Sequence, residues 1–297
     1  MRKVIYTMAA AVLLLACAKE KVPVPDFQVQ TTSLTFKVGE PVKFIITGNP
    51  DNLVFYSGEP GHNYEFRNRS SAANELQIDF KTWVRYGVIR DNLQLMVSND
   101  FDGKAETASV NAATWTDITD RAVFSTGTDQ TPSGTLSLKE FTRPEADSAL
   151  IYVAFRYTDY KKPQGQNQWI VRTFNATNVS ADGVVTPLAT MASGGWMKVD
   201  FKNPAFVWSV TSSQLLMQHP SSANDDDNED WVITKGLNPW YIKRDVGVVL
   251  KNVSTAVREH PHTYEKPGNY KVVFEGSAVR YNGERYLTRE INLTITP

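Results

Sequence analysis

Both ends of this chain carry short runs in which apolar and polar residues alternate with a strict period of two. Leu34, Phe36 and Val38 alternate with Thr35 and Lys37. After the turn Gly39-Glu40-Pro41 the pattern repeats at Val42, Phe44 and Ile46. Asn52-Leu53-Val54-Phe55-Tyr56 is a third candidate, closed by Ser57-Gly58-Glu59-Pro60-Gly61. At the far end Tyr270, Val272 and Phe274 alternate after Lys266-Pro267-Gly268, and Ile291, Leu293 and Ile295 form a last strand with Glu290, Asn292 and Thr294 outward. Period two places alternate side chains on opposite faces, so these runs are half-buried strands rather than helix. Each end has about three strands, too few for a closed sandwich. Together they make about six or seven, the number for one small immunoglobulin-like sandwich. The chain therefore reads as one domain split in sequence, 27–69 plus 245–297, with residues 70–244 inserted into it.

The insert is also strand-rich. Leu93, Leu95 and Val97 alternate with Gln94, Met96 and Ser98, and Ile151, Val153, Phe155 and Tyr157 with Tyr152, Ala154 and Arg156. Thr135–Leu138 and Gln168–Val171 are shorter candidates. Turn clusters such as Asn99-Asp100-Phe101-Asp102-Gly103 and Lys162-Pro163-Gln164-Gly165 separate them, and no convincing amphipathic helix intervenes. This spacing fits an antiparallel jelly roll. The fold expected is all-β: a split immunoglobulin-like sandwich carrying a jelly-roll β-sandwich.

The N-terminus reads as an address. Arg2 and Lys3 precede an apolar run from Met8 to Ala16, which ends in Leu14-Leu15-Ala16-Cys17. The run is shorter than the roughly 20 residues needed to span a bilayer. A basic start, a short apolar stretch and small residues before a cut fit an export signal. Residues 1–16 read as a lipoprotein signal peptide, Cys17 as the lipidated residue, and 17–26 as a tether with Pro23 and Pro25. Cys17 is the chain's only cysteine, so it has no disulfide partner within the chain. Acyl chains there supply the membrane contact. Ala18-Lys19-Glu20-Lys21 is a partial match to an acidic surface-export signal, and the cell surface is expected over the periplasmic face. Removing Arg2 and Lys3 from 31 basic residues leaves 29 against 32 acidic ones, a net charge of −3. That balance gives no footprint for nucleic acid.

Tyr264-Glu265-Lys266-Pro267-Gly268-Asn269-Tyr270-Lys271-Val272 resembles the late strands of a PKD-like domain. Phe55–Gly61 stands where such domains carry a segment rich in Trp, Gly and Asp. With Ser98–Gly103, Trp115-Thr116-Asp117-Ile118 and Asp230–Lys235 in this order, the chain is similar to a Bacteroidetes lipoprotein family of unknown function. Members combine a PKD-like part with a galactose-binding-like jelly roll, and relatives often accompany starch-utilisation-type glycan uptake systems. The resemblance implies glycan capture, an outer-membrane uptake complex as partner, and a structural calcium of the kind such jelly rolls often hold.

The residues themselves offer little catalysis. No G-x-S-x-G, H-E-x-x-H or P-loop motif is present. His260 and His262, two apart, share a face if extended, but further zinc ligands are not evident, and the segment also reads as a polar loop before Tyr264. The run Asn224–Asp230 reads as a solvated loop or, through Asp225 and Asp227, as a calcium loop. Asn99, Asp100 and Asp102 beside Gly103 read as a tight turn or a second calcium site. Sugars stack their C–H faces on Trp and Tyr rings. Trp115, Trp169 and Trp231 sit in strand-like patterns and read as core, whereas Trp208 reads either way. Trp83, Trp196, Trp240 and Tyr241 have polar, Gly or Pro neighbours and are the candidate ligand contacts, against a packing role. The expectation is a non-catalytic, lipid-anchored envelope protein that binds a polysaccharide or oligosaccharide. The alternatives are a structural or adhesive protein that binds another protein, and a glycoside hydrolase.

Overall fold

The computed structural model describes residues 21–88, 91–143, 149–217 and 227–297. The signal segment 1–16, Cys17, the start of the tether and Asp225 lie outside the described residues. The chain is all-β and divides into two compact units. One comprises the described residues up to Asn68 together with Arg244–Pro297; the other is Arg69–Lys243.

The first unit begins with β1 (Phe27–Thr31), β2 (Thr35–Lys37), β3 (Pro41–Gly48) and β4 (Asn52–Tyr56). The chain then builds the second unit. Its elements are β5 (Asn74–Arg85), β6 (Leu93–Ser98), the short helix α1 (Thr107–Ala112), β7 (Thr116–Asp117), β8 (Thr131–Pro132) and β9 (Leu136–Ser137). These are followed by β10 (Tyr152–Asp159), β11 (Gln168–Ser180), β12 (Val185–Thr190), β13 (Met197–Lys202), β14 (Trp208–Val210), β15 (Leu215–Met217) and β16 (Asn228–Ile233). It returns to the first unit through β17 (Val248–Lys251), β18 (Glu259–Thr263), β19 (Gly268–Arg280) and β20 (Gly283–Thr296).

In the first unit a sheet ordered β1-β3-β18 faces one ordered β17-β4-β19-β20-β2. Their alternating inner residues form one core. Phe44, Phe55 and Phe274 meet there with ring centroids 5.1–5.6 Å apart. The described residues of this unit form eight strands rather than six or seven: β1 and β17 have no strand reading above, and β18 is built from Glu259-His260-Pro261-His262-Thr263, a polar stretch that reads as loop. Pairing with β3 holds it extended, and both His rings pack on Phe55 at 4.5 and 5.3 Å. Leu34 is not an inward residue: it is 59% exposed, and β2 starts after it.

In the second unit the central pair is β5 with β11, registered from Asn74↔Ser180 to Arg85↔Gln168. They anchor a seven-stranded sheet that packs on a five-stranded one ordered β13-β16-β10-β6-β7. The core between them holds Phe80, Phe155, Trp169, Phe174 and Trp208. The five-stranded sheet is buried on both faces. Met96, Tyr152, Ala154 and Trp231, on its outer side, are covered by Phe101, Val110 of α1 and Trp115. The residues read as the outward phase of β6 and β10 are thus largely buried. A six-residue helix supplies part of the cover, too short to leave a periodic signature in the sequence.

Candidate functional site

The site begins with two asparagines in the apolar phase of neighbouring strands. Asn74 on β5 and Asn178 on β11 take the inward positions next to Leu76 and Ala176. Buried amides need partners. Asn74 Nδ2 donates to the carbonyls of Pro239 (2.9 Å) and Tyr241 (3.1 Å), and Asn178 Nδ2 to those of Asn238 (2.9 Å) and Tyr241 (2.8 Å). Asn238 Oδ1 accepts from Trp240 N (2.8 Å), forming an Asx turn, and Ala72 N donates to the Trp240 carbonyl (2.9 Å). The Asn238–Tyr241 loop is therefore held by sheet residues from below and by the Ser71–Tyr241 bridge at its side. The backbone that carries Trp240 is fixed in place by this lattice.

Half-buried, Trp240 walls a cavity of about 530 Å³ together with Asn74, Glu75, Lys139, Thr142 and Ser180. That volume lies within the roughly 300–1,000 Å³ of ligand clefts. Trp240 Nε1, Thr142 Oγ1 and Asn74 Oδ1 are buried without hydrogen-bond partners. Such orphans cost about 1–3 kcal/mol each. Hydrogen bonds from Gln77 and Ser137 hold the Glu75 carboxyl below its ordinary range, with Lys139 adding to the effect.

The other expected aromatics do not join Trp240. Tyr241, 46% exposed, borders a separate and smaller cavity of about 190 Å³ with Pro187, Leu188 and Lys235. Trp83 lies on strand β5 rather than in a loop. Its Nε1 donates to the Gly127 carbonyl (3.1 Å), and the guanidiniums of Arg85 and Arg172 sit 4.4 and 4.9 Å from its ring. Trp196 is a packing residue: its ring meets Phe174 at 5.0 Å, and its Nε1 donates to Met191 O (2.9 Å). The glycines before it serve that packing, since a Cβ on Gly194 would lie 2.6 Å from the indole. Trp208, 1% exposed, is core.

The family described as a domain of unknown function, DUF5017, matches residues 16–196. The chain belongs to the DUF5017 family. The match takes in every residue named above as lining the 530 Å³ cavity except Trp240, which lies beyond it. No curated protein matches this DUF5017 chain.

The polar turns read as calcium candidates hold protein partners in this DUF5017 member. Asn99 Nδ2 donates to Phe141 O and its Oδ1 accepts from Arg143. Asp100 Oδ1 accepts from Ser98 Oγ and Thr114 N; Asp102 accepts from Lys104 N and Ser109 Oγ and pairs with Lys104 Nζ. Cations and amides occupy the oxygens that a calcium would need, so the donor set does not fit the ion. Asp227 Oδ1 accepts from Lys161 N and braces the turn after β10. Among the described residues no group of three or more His, Cys, Asp or Glu is placed to hold a metal. Nor is any described helix long and apolar enough to cross a membrane. His262 is bonded to Glu59 (2.7 Å), while His260 is half-buried with Nε2 lacking a partner. Burial, and then the neighbouring His262, hold His260 below the ordinary imidazole range.

Sequence pattern singles out Trp240 but not Asn74, Asn178, Thr142 or Lys139. The available signal was an asparagine in the apolar phase of a strand, as in Asn74-x-Leu76-x-Ile78.

Proposed function

We propose that this DUF5017 protein is a non-catalytic, lipid-anchored component of the cell envelope that binds glycan in the Trp240 cavity. The observation that carries the reading is an indole on a pinned loop bordering a ligand-sized cleft. An aromatic face suits the C–H face of a sugar, and the half-buried ring loses little entropy on binding. Among the described lining residues Glu75 is the one carboxylate, whereas glycosidases use a pair, which favours binding over cleavage. The signal-like start makes Cys17 the anchor, Ala18-Lys19-Glu20-Lys21 favours the cell surface, and the resemblance to PKD-like and galactose-binding-like lipoproteins implies an outer-membrane polysaccharide uptake system as the setting.

Calorimetry of the protein against plant, host and microbial polysaccharides tests this reading, with reducing-end release measured alongside. One glycan class binds without being cleaved, and Trp240→Ala weakens it about ten-fold or more. Failure of every glycan to bind, or release of new reducing ends, contradicts it. Cys17→Ser moves the protein from the membrane to the soluble fraction; retention of the variant in the membrane refutes the anchor. Protease shaving of intact cells degrades a surface-exposed protein, and full protection places it on the periplasmic side. A second reading, protein binding, is favoured by Val248 and Val249 on the edge strand β17, 47% and 70% exposed. Capture of an outer-membrane partner that Val249→Lys abolishes would establish it.

A further inference from the structure

The first unit holds a larger cavity that no feature above explains. It encloses about 640 Å³ between Tyr56, Tyr64, Arg67, Arg244, Glu275 and Tyr286. Its walls are braced. Asn63 opens a single 3₁₀ turn, Tyr64–Phe66, with its Oδ1 accepting from Glu65 N (3.0 Å). This turn is tied to the segment entering β17 by four bonds. Asp245 N donates to Phe66 O (3.3 Å), the buried Asp245 carboxylate accepts from Asn63 N (2.9 Å), Val246 N donates to Gly61 O (2.9 Å), and His62 Nδ1 meets Val246 O (2.7 Å). Gly247 lets that segment pass close over Tyr56: a Cβ there would lie 2.3 Å from Val54 Cγ1 and 2.8 Å from Tyr56 Cε2. Arg67 and Arg244 are thus presented from two strapped backbones.

The chemistry of the walls is specific. The Arg67 guanidinium lies 3.8 Å from the Tyr64 ring centre and donates to the Tyr64 carbonyl at 2.8 Å. Tyr64 Oη donates to Glu275 Oε2 at 2.7 Å, so this acid already has a short partner on the wall. Burial, and then Glu275, raise the Tyr64 hydroxyl to about 12, so it remains a neutral donor. Tyr56 meets Tyr64 edge-on at 5.2 Å. Burial raises its hydroxyl too, Glu275 adds to the rise, and Arg67 and Arg244, both in the cavity lining, oppose it. The two acids of the lining, Glu275 and Asp245, each accept a hydrogen bond from the wall itself, whereas Arg244 is exposed.

We propose that this cavity binds an acidic saccharide through the carboxylate of a hexuronic acid residue. A planar guanidinium matches a carboxylate fork, and a second cation in the same lining adds charge without a new shape demand. Tyrosine rings supply flat apolar surface with polar edges for the sugar ring. The inference rests on the glycan reading only for the saccharide part. The cavity, the charge and the residues belong to a different unit from Trp240.

Calorimetry on the full chain tests it, with tri-galacturonate and a hyaluronan tetrasaccharide as probes and galactotriose as the uncharged control. At least one acidic probe binds, galactotriose binds about ten-fold more weakly or not at all, and affinity falls as salt is raised from about 50 to 300 mM. Arg244→Gln weakens the acidic probe about ten-fold with unchanged melting temperature. Arg67→Lys, which keeps the charge and loses the fork, weakens it about five-fold. Trp240→Ala leaves this binding unchanged, which separates this site from the Trp240 cavity. Absence of binding by both acidic probes overturns the proposal. So does equal affinity for galactotriose, indifference to Arg244→Gln, or a hexaglutamate peptide binding as tightly as the acidic sugar.

Discussion

Single residues carry the clearest commitments. Asp230 on β16 is 1% exposed, with Oδ2 unpartnered. Burial, and then the charges of Asp200 and Glu229, raise its carboxyl from 3.8 to about 8 against the pull of Lys198. The folded state therefore holds a proton that the unfolded chain releases near pH 4. The contribution of Asp230 to stability falls as pH rises from about 4 to 8 and levels off above. Asp230→Asn removes this slope and stabilises the protein at pH 8 by on the order of 2–3 kcal/mol. Denaturant titrations of both proteins at pH 5 and 8 check this, and parallel pH profiles contradict it. Asn178 offers the opposite case. Asn178→Ala removes one of two donors from the carbonyls of Asn238 and Tyr241, which keep Tyr241 N and Asn74 Nδ2, and costs about 1 kcal/mol. If the loop it pins presents the ligand-binding ring, glycan affinity drops with it. Trp240 was legible in the sequence because Asn238-Pro239-Trp240-Tyr241 marks a turn with exposed aromatics. Its supports were not, because Asn74 and Asn178 come together only through the β5–β11 register.

At the scale of elements, alternation revealed strands wherever one face is wet. β3 and the end of β20 follow it, with Val42, Phe44, Leu293 and Ile295 inside, whereas in β19 Val273 is buried along with Val272 and Phe274. It failed in two physical circumstances. Where both faces are covered, as in β6 and β10, the polar phase disappears and the outer layer goes unread. Where pairing overrides composition, as in β18, a His-Pro-His segment becomes strand. The glycines before Trp196 were also misleading. Gly194-Gly195 looks like a mobile binding loop, yet Gly195 takes φ +60° and Gly194 lies against the indole. Gly194→Ala must move Trp196 off Phe174 and costs about 1–3 kcal/mol, seen as a lowered melting temperature. An unchanged melting temperature would return Trp196 to the loop aromatics.

The whole molecule is two sandwiches from one chain, the second inserted in the first. Each unit has a core of its own, with Phe44, Phe55 and Phe274 in one and Phe80, Phe155 and Trp169 in the other. The strands that leave and re-enter the first unit run side by side, with Phe66 and Asp245 bonded there, while Ser70 and Ile242 are bonded in the second unit. Residues 69–243 expressed alone should therefore fold cooperatively and keep near-ultraviolet dichroism from their buried tryptophans. A chain without a cooperative transition would show that the unit needs its host. The central claim is that glycan sits at Trp240, and the seven tryptophans make it directly observable. Indole N–H resonances recorded during titration with the bound glycan should shift at Trp240 and stay fixed at the buried Trp169 and Trp208. Shifts at Trp83 instead, or none at Trp240 at saturation, would contradict the account.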